Sequence, residues 1–212
     1  MLISHYPSNR AFVCVPLLCL LVLQGYSEAA SFERLFVFGD SLSDAGNHLD
    51  AFGFPASPPY FEGRFTNGLV WIDHVAEGLG MPKLEPSRLG GTNYAYGGAQ
   101  SGDGTSTITL PLPVPNVGPQ IDDFISTEAT FLETDLVVLW IGHNDLTGNI
   151  PPSTTAANVY DHIQSLYELG GRNFLVADFA GHPNASTLNS LQRGRVRDLR
   201  RELSDIDIAV FS

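Results

Sequence analysis

The chain has 212 residues, 43% of them hydrophobic and 16% charged. That is enough apolar material for one ordinary domain and too little charge for a disordered chain. The formal net charge of −12, with Lys83 as the single lysine, repels a phosphate backbone, so no nucleic-acid partner is expected.

The first residues differ in kind from the rest. Arg10 precedes an apolar run over 11–23, more polar residues follow at 24–27, and Ala29 and Ala30 close the segment. This order reads as a secretory signal peptide over 1–29, cleaved after Ala29, with an uncleaved amino-terminal anchor as the alternative. The run falls short of the roughly 20 residues a membrane span needs, so no stable span is expected. The domain then occupies 30–212 and is secreted or periplasmic. Cys14 and Cys19 both fall in the leader, which leaves the mature domain without a disulfide or a thiolate metal site.

Residues 34–38 predict a short buried strand. Residues 68–79 place Leu69, Ile72, Val75, Ala76 and Leu79 at helical spacing, and Gly80 and Pro82 stop that helix. Residues 92–96 read as a short strand, and 103–117, with Pro111, Pro113 and Pro115, as a loop. A helix is expected over 119–128 with Ile121, Phe124 and Ile125 inward. Residues 135–141 form the clearest strand, an unbroken apolar run of the kind a parallel sheet covers on both faces. A helix starts at Pro151-Pro152 and stops at Gly170-Gly171, followed by a strand at 173–177, a helix at 187–203 and a strand at 206–211. Strands alternating with helices predict an α/β fold with a parallel sheet. In such folds ligands bind at the carboxyl ends of the strands.

Three predicted strand ends carry unusual residues: Gly39-Asp40-Ser41-Leu42, Gly97-Gly98 and Gly142-His143-Asn144-Asp145. Gly39 permits a tight turn, and Asp40, Ser43 and Asp44 can hold it by bonding nearby amides. A serine there is placed to act as a nucleophile, given a base and anion stabilisation. The amides of Ser41 and Gly98 and the Asn144 carboxamide supply donors for an oxyanion. Each of these residues alone reads equally well as a turn former.

Residues 38–47, FGDSLSDAGN, together with 93–99, NYAYGGA, and 142–145, GHND, resemble the three leading signature blocks of the GDSL lipases, or SGNH hydrolases. The resemblance covers roughly 34–211. It implies a flavodoxin-like three-layer α/β/α sandwich with a parallel sheet and hydrolysis of carboxylic esters through an acyl-enzyme. Ser41 would be the nucleophile, and Gly98 and Asn144 would complete the oxyanion hole. His143 is a candidate substrate contact. No cofactor or metal is expected, and the substrate class is an ester of a small molecule, a lipid or an acylated carbohydrate.

The same family takes its acid and base from a late Asp-x-x-His motif. None of His5, His48, His74, His143, His162 and His182 has an aspartate three residues before it. The fold is therefore expected to be incomplete at the carboxyl terminus, and this chain to be inactive alone. Asp178 and His182, in a D-x-x-x-H arrangement, are a weaker substitute. The other class of function is a non-catalytic binding protein that keeps the fold and the cleft. Phe52, Phe54, Tyr60, Phe61 and Phe65 offer either an apolar cleft wall or an anchor for their own loop.

Overall fold

The computed structural model describes residues 32–108 and 112–212. The leader, both cysteines and Pro111 lie outside the described residues. Four strands, β1 (Arg34–Gly39), β4 (Asp135–Trp140), β5 (Asn173–Ala177) and β6 (Asp207–Phe211), form an all-parallel sheet in the order β1-β4-β5-β6. Their sequences are nearly unbroken apolar runs because both faces are covered. Phe36, Phe38, Val137, Leu139, Phe174, Val176 and Ile208 face one side. There they meet α3 (Val117–Ser126), α5 (Pro152–Glu168) and α6 (Ala185–Glu202). Leu35, Val37, Leu136 and Val138 face the other side and pack on Ile72 and Ala76 of α2 (Trp71–Gly78). The result is the parallel α/β fold that the strand–helix alternation predicts, in the three-layer form that the family resemblance implies.

Local differences from the predicted elements have identifiable causes. Residues 92–96 do not form a strand; they run beside β1 with only isolated bridges at Asn93. Val37 donates to the Thr92 carbonyl and accepts from the Tyr94 amide, as a parallel ladder would. The next donor is diverted: the Gly39 amide bonds Gln120 of α3 at 2.9 Å, while the Gly39 carbonyl accepts from both the Tyr96 amide at 3.1 Å and Gln120 Nε2 at 2.9 Å. Because Gln120 turns inward with Val117 and Phe124, the buried stripe of α3 is centred about a quarter turn from Ile125. Ile125 is therefore 46% exposed rather than inward. The loop expected over 103–117 contains a small antiparallel pair, β2 (Thr105–Ser106) and β3 (Val114–Pro115). Two short helices follow the first and second motif-bearing strands, α1 (Asn47–Phe52) and α4 (His143–Thr147). The arginines of α6 lie on its exposed face, where Arg193 pairs with Asp178 and Arg201 with Asp198.

Candidate active site

Parallel pairing sets Gly39 of β1 opposite Trp140 of β4, so the turns after these strands leave the sheet side by side. The reason for glycine at 39 is close approach: a side chain would meet the Trp140 carbonyl oxygen at 2.5 Å. Ser41 stands two residues beyond, half-buried. The turn around it is held as expected by Asp40, whose Oδ1 accepts from the Leu42 amide at 3.0 Å, and by Asp44, whose Oδ1 accepts from Gly46 and Asn47 at 2.8 Å each. Ser43 acts over a longer range, its hydroxyl accepting from Trp71 Nε1 at 3.0 Å.

The second motif is fastened to the first by asparagine side chains. Asn47 Nδ2 donates to the carbonyls of Asn93 and Ala95, and Asn93 Nδ2 donates to the Ser43 carbonyl at 2.7 Å. Asp44 Oδ2 accepts from the Gly97 amide at 2.8 Å. Gly98 then takes φ +90°, a region that a side chain would strain. Among the described residues, the backbone N–H groups of Ser41 and Gly98 have no hydrogen-bond partner, whereas those of Leu42, Ser43, Gly97 and Ala99 are all engaged.

The third motif opens α4. Asn144 is 4% exposed and donates one amide hydrogen to the Ala99 carbonyl at 2.8 Å, which fixes its orientation and leaves its second hydrogen. Ser41, Gly98 and Asn144 thus sit on three loops cross-linked to one another at one end of the sheet. His143 is exposed, its ring 6.5 Å from that of His182.

The substitute pair does not form a catalytic arrangement. Asp178 is held by Arg193 and accepts from the Ser212 hydroxyl at 3.1 Å. His182 Nδ1 accepts from the Asn184 amide at 3.1 Å, so it has no Nδ1 hydrogen to offer an aspartate. His48 is buried and bonds the Phe54 carbonyl at 2.8 Å, His162 bonds the Ser101 carbonyl, and His74 is exposed beside Glu77.

Three buried carboxylates at this end of the sheet, Asp40, Asp44 and Asp145, have no cationic partner among the described residues. Asp40 is fully buried with Oδ2 unpartnered, and burial pushes its carboxyl up to about 7. Asp44, equally buried, accepts from four amides, which favour its ionised form, and rises less, to about 6. Burial also raises Asp145. Sequence reasoning gave Asp40 and Asp44 a turn-holding role and missed their burial, although both sit between apolar elements. Phe54, Tyr60 and Phe65 pack together with ring centroids 5.9–6.3 Å apart, and Phe54 and Phe65 also meet the His48 ring. They are largely each other's packing, with Phe54 still 39% exposed. A separate cleft of about 250 Å³, lined by Arg34, Leu35, Met81 and Leu84, opens at the amino end of β1, a strand length from Ser41.

A profile of the GDSL-like lipase/acylhydrolase family matches residues 35–179. The chain belongs to the GDSL family of ester hydrolases. Among its relatives, the phosphatidylcholine-sterol acyltransferase of Aeromonas hydrophila is 35% identical over 65% of this chain and 40% of that protein. An esterase of Hevea brasiliensis is 32% identical over 76% of this chain and 52% of its own length. The GDSL esterase/lipase ENOD8 of Medicago truncatula is 30% identical over 81% and 56% respectively. The chain thus spans about half the length of the curated relatives it matches. The fold is that of the SGNH hydrolases: a family two carbohydrate esterase from Clostridium thermocellum, solved with cellohexaose, superposes with TM-score 0.56 at 13% identity, over 85% of this chain and 54% of that one. Among the described residues, no helix is long and apolar enough to cross a membrane.

Proposed function

We propose that this chain carries the nucleophile and the oxyanion-binding half of a secreted serine ester hydrolase. The observation that supports the reading is the pair of unengaged backbone N–H groups at Ser41 and Gly98, beside the engaged amides of Leu42, Ser43, Gly97 and Ala99. In the reaction, Ser41 Oγ attacks the carbonyl carbon of a carboxylic ester. The carbonyl oxygen takes up negative charge and receives the Ser41 and Gly98 amides and the free hydrogen of Asn144 Nδ2. The C–O bond to the alcohol breaks, the alcohol leaves with a proton, and Ser41 is left acylated. Water then attacks the acyl carbonyl, the acid departs and the serine hydroxyl is restored. His143, exposed at the same end of the sheet, would contact the substrate. No cofactor enters these steps.

On this reading the base that removes the Ser41 proton, and the aspartate that orients it, lie outside residues 1–212; supporting it, no histidine has the family's aspartate spacing, and Asp178 and His182 are engaged elsewhere. They would come from sequence outside this chain. The leader over 1–29 would send the product through a secretory pathway. Two measurements test the division. Purified residues 30–212 are expected to leave a short-chain p-nitrophenyl ester unhydrolysed above background. The full-length gene product is expected to hydrolyse it, losing all turnover with Ser41→Ala and about 10²–10³-fold in kcat with Asn144→Ala. Ordinary turnover by 30–212 that Ser41→Ala abolishes would overturn the division, and turnover that survives Ser41→Ala would remove the nucleophile. Ester binding without turnover by the full-length product would favour a binding protein that keeps only the fold.

A further inference from the structure

Ser101 lies three residues beyond Gly98, and every polar atom it has is engaged. Its amide donates to Asp145 Oδ2 at 3.0 Å and Oδ1 at 3.2 Å, and its hydroxyl donates to Asp145 Oδ1 at 2.5 Å. The same hydroxyl accepts from Asn158 Nδ2 at 2.9 Å, and its carbonyl accepts from His162 Nε2 at 2.6 Å. Thr155 adds a hydroxyl to Asp145 Oδ1 at 3.3 Å. Thr155, Asn158 and His162 follow helical spacing on one face of α5, a helix fixed in the core by Val159, Ile163 and Leu166. Ser101, Asp145 and Thr155 are all fully buried.

The neighbours of Ser101 and Asp145 are the residues assigned to the oxyanion. Asn144 Nδ2 binds the Ala99 carbonyl, Gln100 Nε2 donates to the Asn144 carbonyl at 3.2 Å, and Ser101 binds Asp145. Segment 99–101 therefore runs along 144–145 residue by residue, and α5 clamps the far end. The Asn144–Ala99 bond joins the two donors directly, and the Ser101–Asp145 pair is the next contact along the same two segments, buried and tied in turn to α5. A buried polar network of this kind specifies one arrangement only when every member is satisfied, as it is at Ser101.

We propose that Ser101 and Asp145, anchored by Asn158 and His162 of α5, form a latch that positions the Gly98 amide and the Asn144 carboxamide for the oxyanion. Ser101 and Asp145 are positioning residues that touch no reacting atom, and the proposal rests on the hydrolase reading above. Because the donors act on the charge that develops during acyl transfer, loosening them lowers kcat and spares KM. Misplacement by about 1 Å costs on the order of 10²-fold.

The test uses the full-length gene product with Ser101→Ala, Asn158→Ala and, as the conservative variant, Ser101→Thr. Asn158 is only half-buried, so its loss leaves the core intact. The expected result is a fall in kcat of about 10–100-fold for Ser101→Ala and a smaller fall for Asn158→Ala, with KM within about 3-fold in both and partial recovery in Ser101→Thr. In parallel, ¹H–¹⁵N spectra of residues 30–212 follow the Asn144 side-chain amide pair, which is expected to move and exchange faster with solvent in Ser101→Ala. Folded variants with kcat within 2-fold of the parent, or an Asn144 amide pair that stays in place, would overturn the latch. Turnover that persists in a Ser41→Ala control would instead sink the hydrolase reading, and the spectra would still decide whether the latch holds Asn144.

Discussion

The two regions flanking the central sheet treat buried aspartates in opposite ways. At the amino end, Asp135 is fully buried under the guanidinium of Arg34, which reaches Oδ1 at 2.7 Å and Oδ2 at 2.5 Å. On the α2 side, Asp73 is buried against Arg64, itself 1% exposed, through bonds of 2.6 and 2.9 Å. At the carboxyl end Asp40, Asp44 and Asp145 are buried with N–H and O–H donors alone. The scaffold neutralises its carboxylates with cations; the strand-end loops stabilise theirs with oriented dipoles. The difference teaches that the carboxyl end is arranged for geometry at some cost in stability, which is where a functional site is expected to depart from the rules of a good core.

The sharpest way to break the comparison is to remove a scaffold cation. Arg64 also donates to the carbonyls of Ala45 and Leu84, so it ties the turn of the first motif to α2. Arg64→Ala leaves Asp73 charged and buried and is expected to cost about 3–5 kcal/mol in urea unfolding. Arg34 has a side chain 39% exposed, so solvent screens its pair, and Arg34→Ala is expected to cost distinctly less. Equal losses at the two positions would mean that the buried cation has no special place in the scaffold.

A second experiment sharpens the comparison by pH. Asp40 titrates at about 7 when folded and at its ordinary 3.8 when exposed, so between these values the folded state binds more protons than the unfolded one. Its contribution to stability is complete below about pH 4 and is lost as pH rises toward 7, and Asp44 acts in the same direction over a narrower window. Asp40→Asn keeps an acceptor for the Leu42 amide and removes the charge. It is expected to raise Tm at pH 7.5 by about 3–6 °C relative to the parent, with the gain vanishing near pH 4. A gain independent of pH would mean that Asp40 titrates alike in the folded and unfolded states, so that burial does not raise it.

How much of this was legible in the sequence follows from the range of the forces involved. β1, β4, β5 and β6 were readable because their apolar runs are local, and α5 because Pro152 and Gly170 mark its ends. The failed strand at 92–96 was not, since the competing group is Gln120, 81 residues from Gly39 in the chain. Ile125 was misplaced for the same reason: a polar residue took the inward position. The placement of Ser41, Gly98 and Asn144 at one end of the sheet was readable from the order of three motifs. Ser101, Asn158 and His162 were not, because a buried serine, asparagine and histidine look like ordinary loop and helix-surface residues until their partners are known. Asp145 carried a usable signal: a carboxylate one residue after Asn144, between a buried strand and a buried helix, has to find donors.

The smallest expected effect concerns Asp178, a carboxylate at the carboxyl end that does have a cation. Asp178 has one buried oxygen without a partner and the other held by Arg193, whose side chain is 49% exposed. Solvent screens that pair, so Arg193→Ala is expected to change unfolding free energy by less than about 1 kcal/mol. The informative readout is elsewhere. If Asp178 is a structural partner of α6, His182 keeps the tautomer with Nδ1 accepting from Asn184, and its imidazole ¹⁵N shifts stay where they are in the parent. If freeing Asp178 lets it turn to His182, the Nδ1 signal moves to its protonated position. The carboxyl end would then hold a second Asp–His pair in reserve, and its dependence on dipoles rather than charges would be a property of this pairing alone.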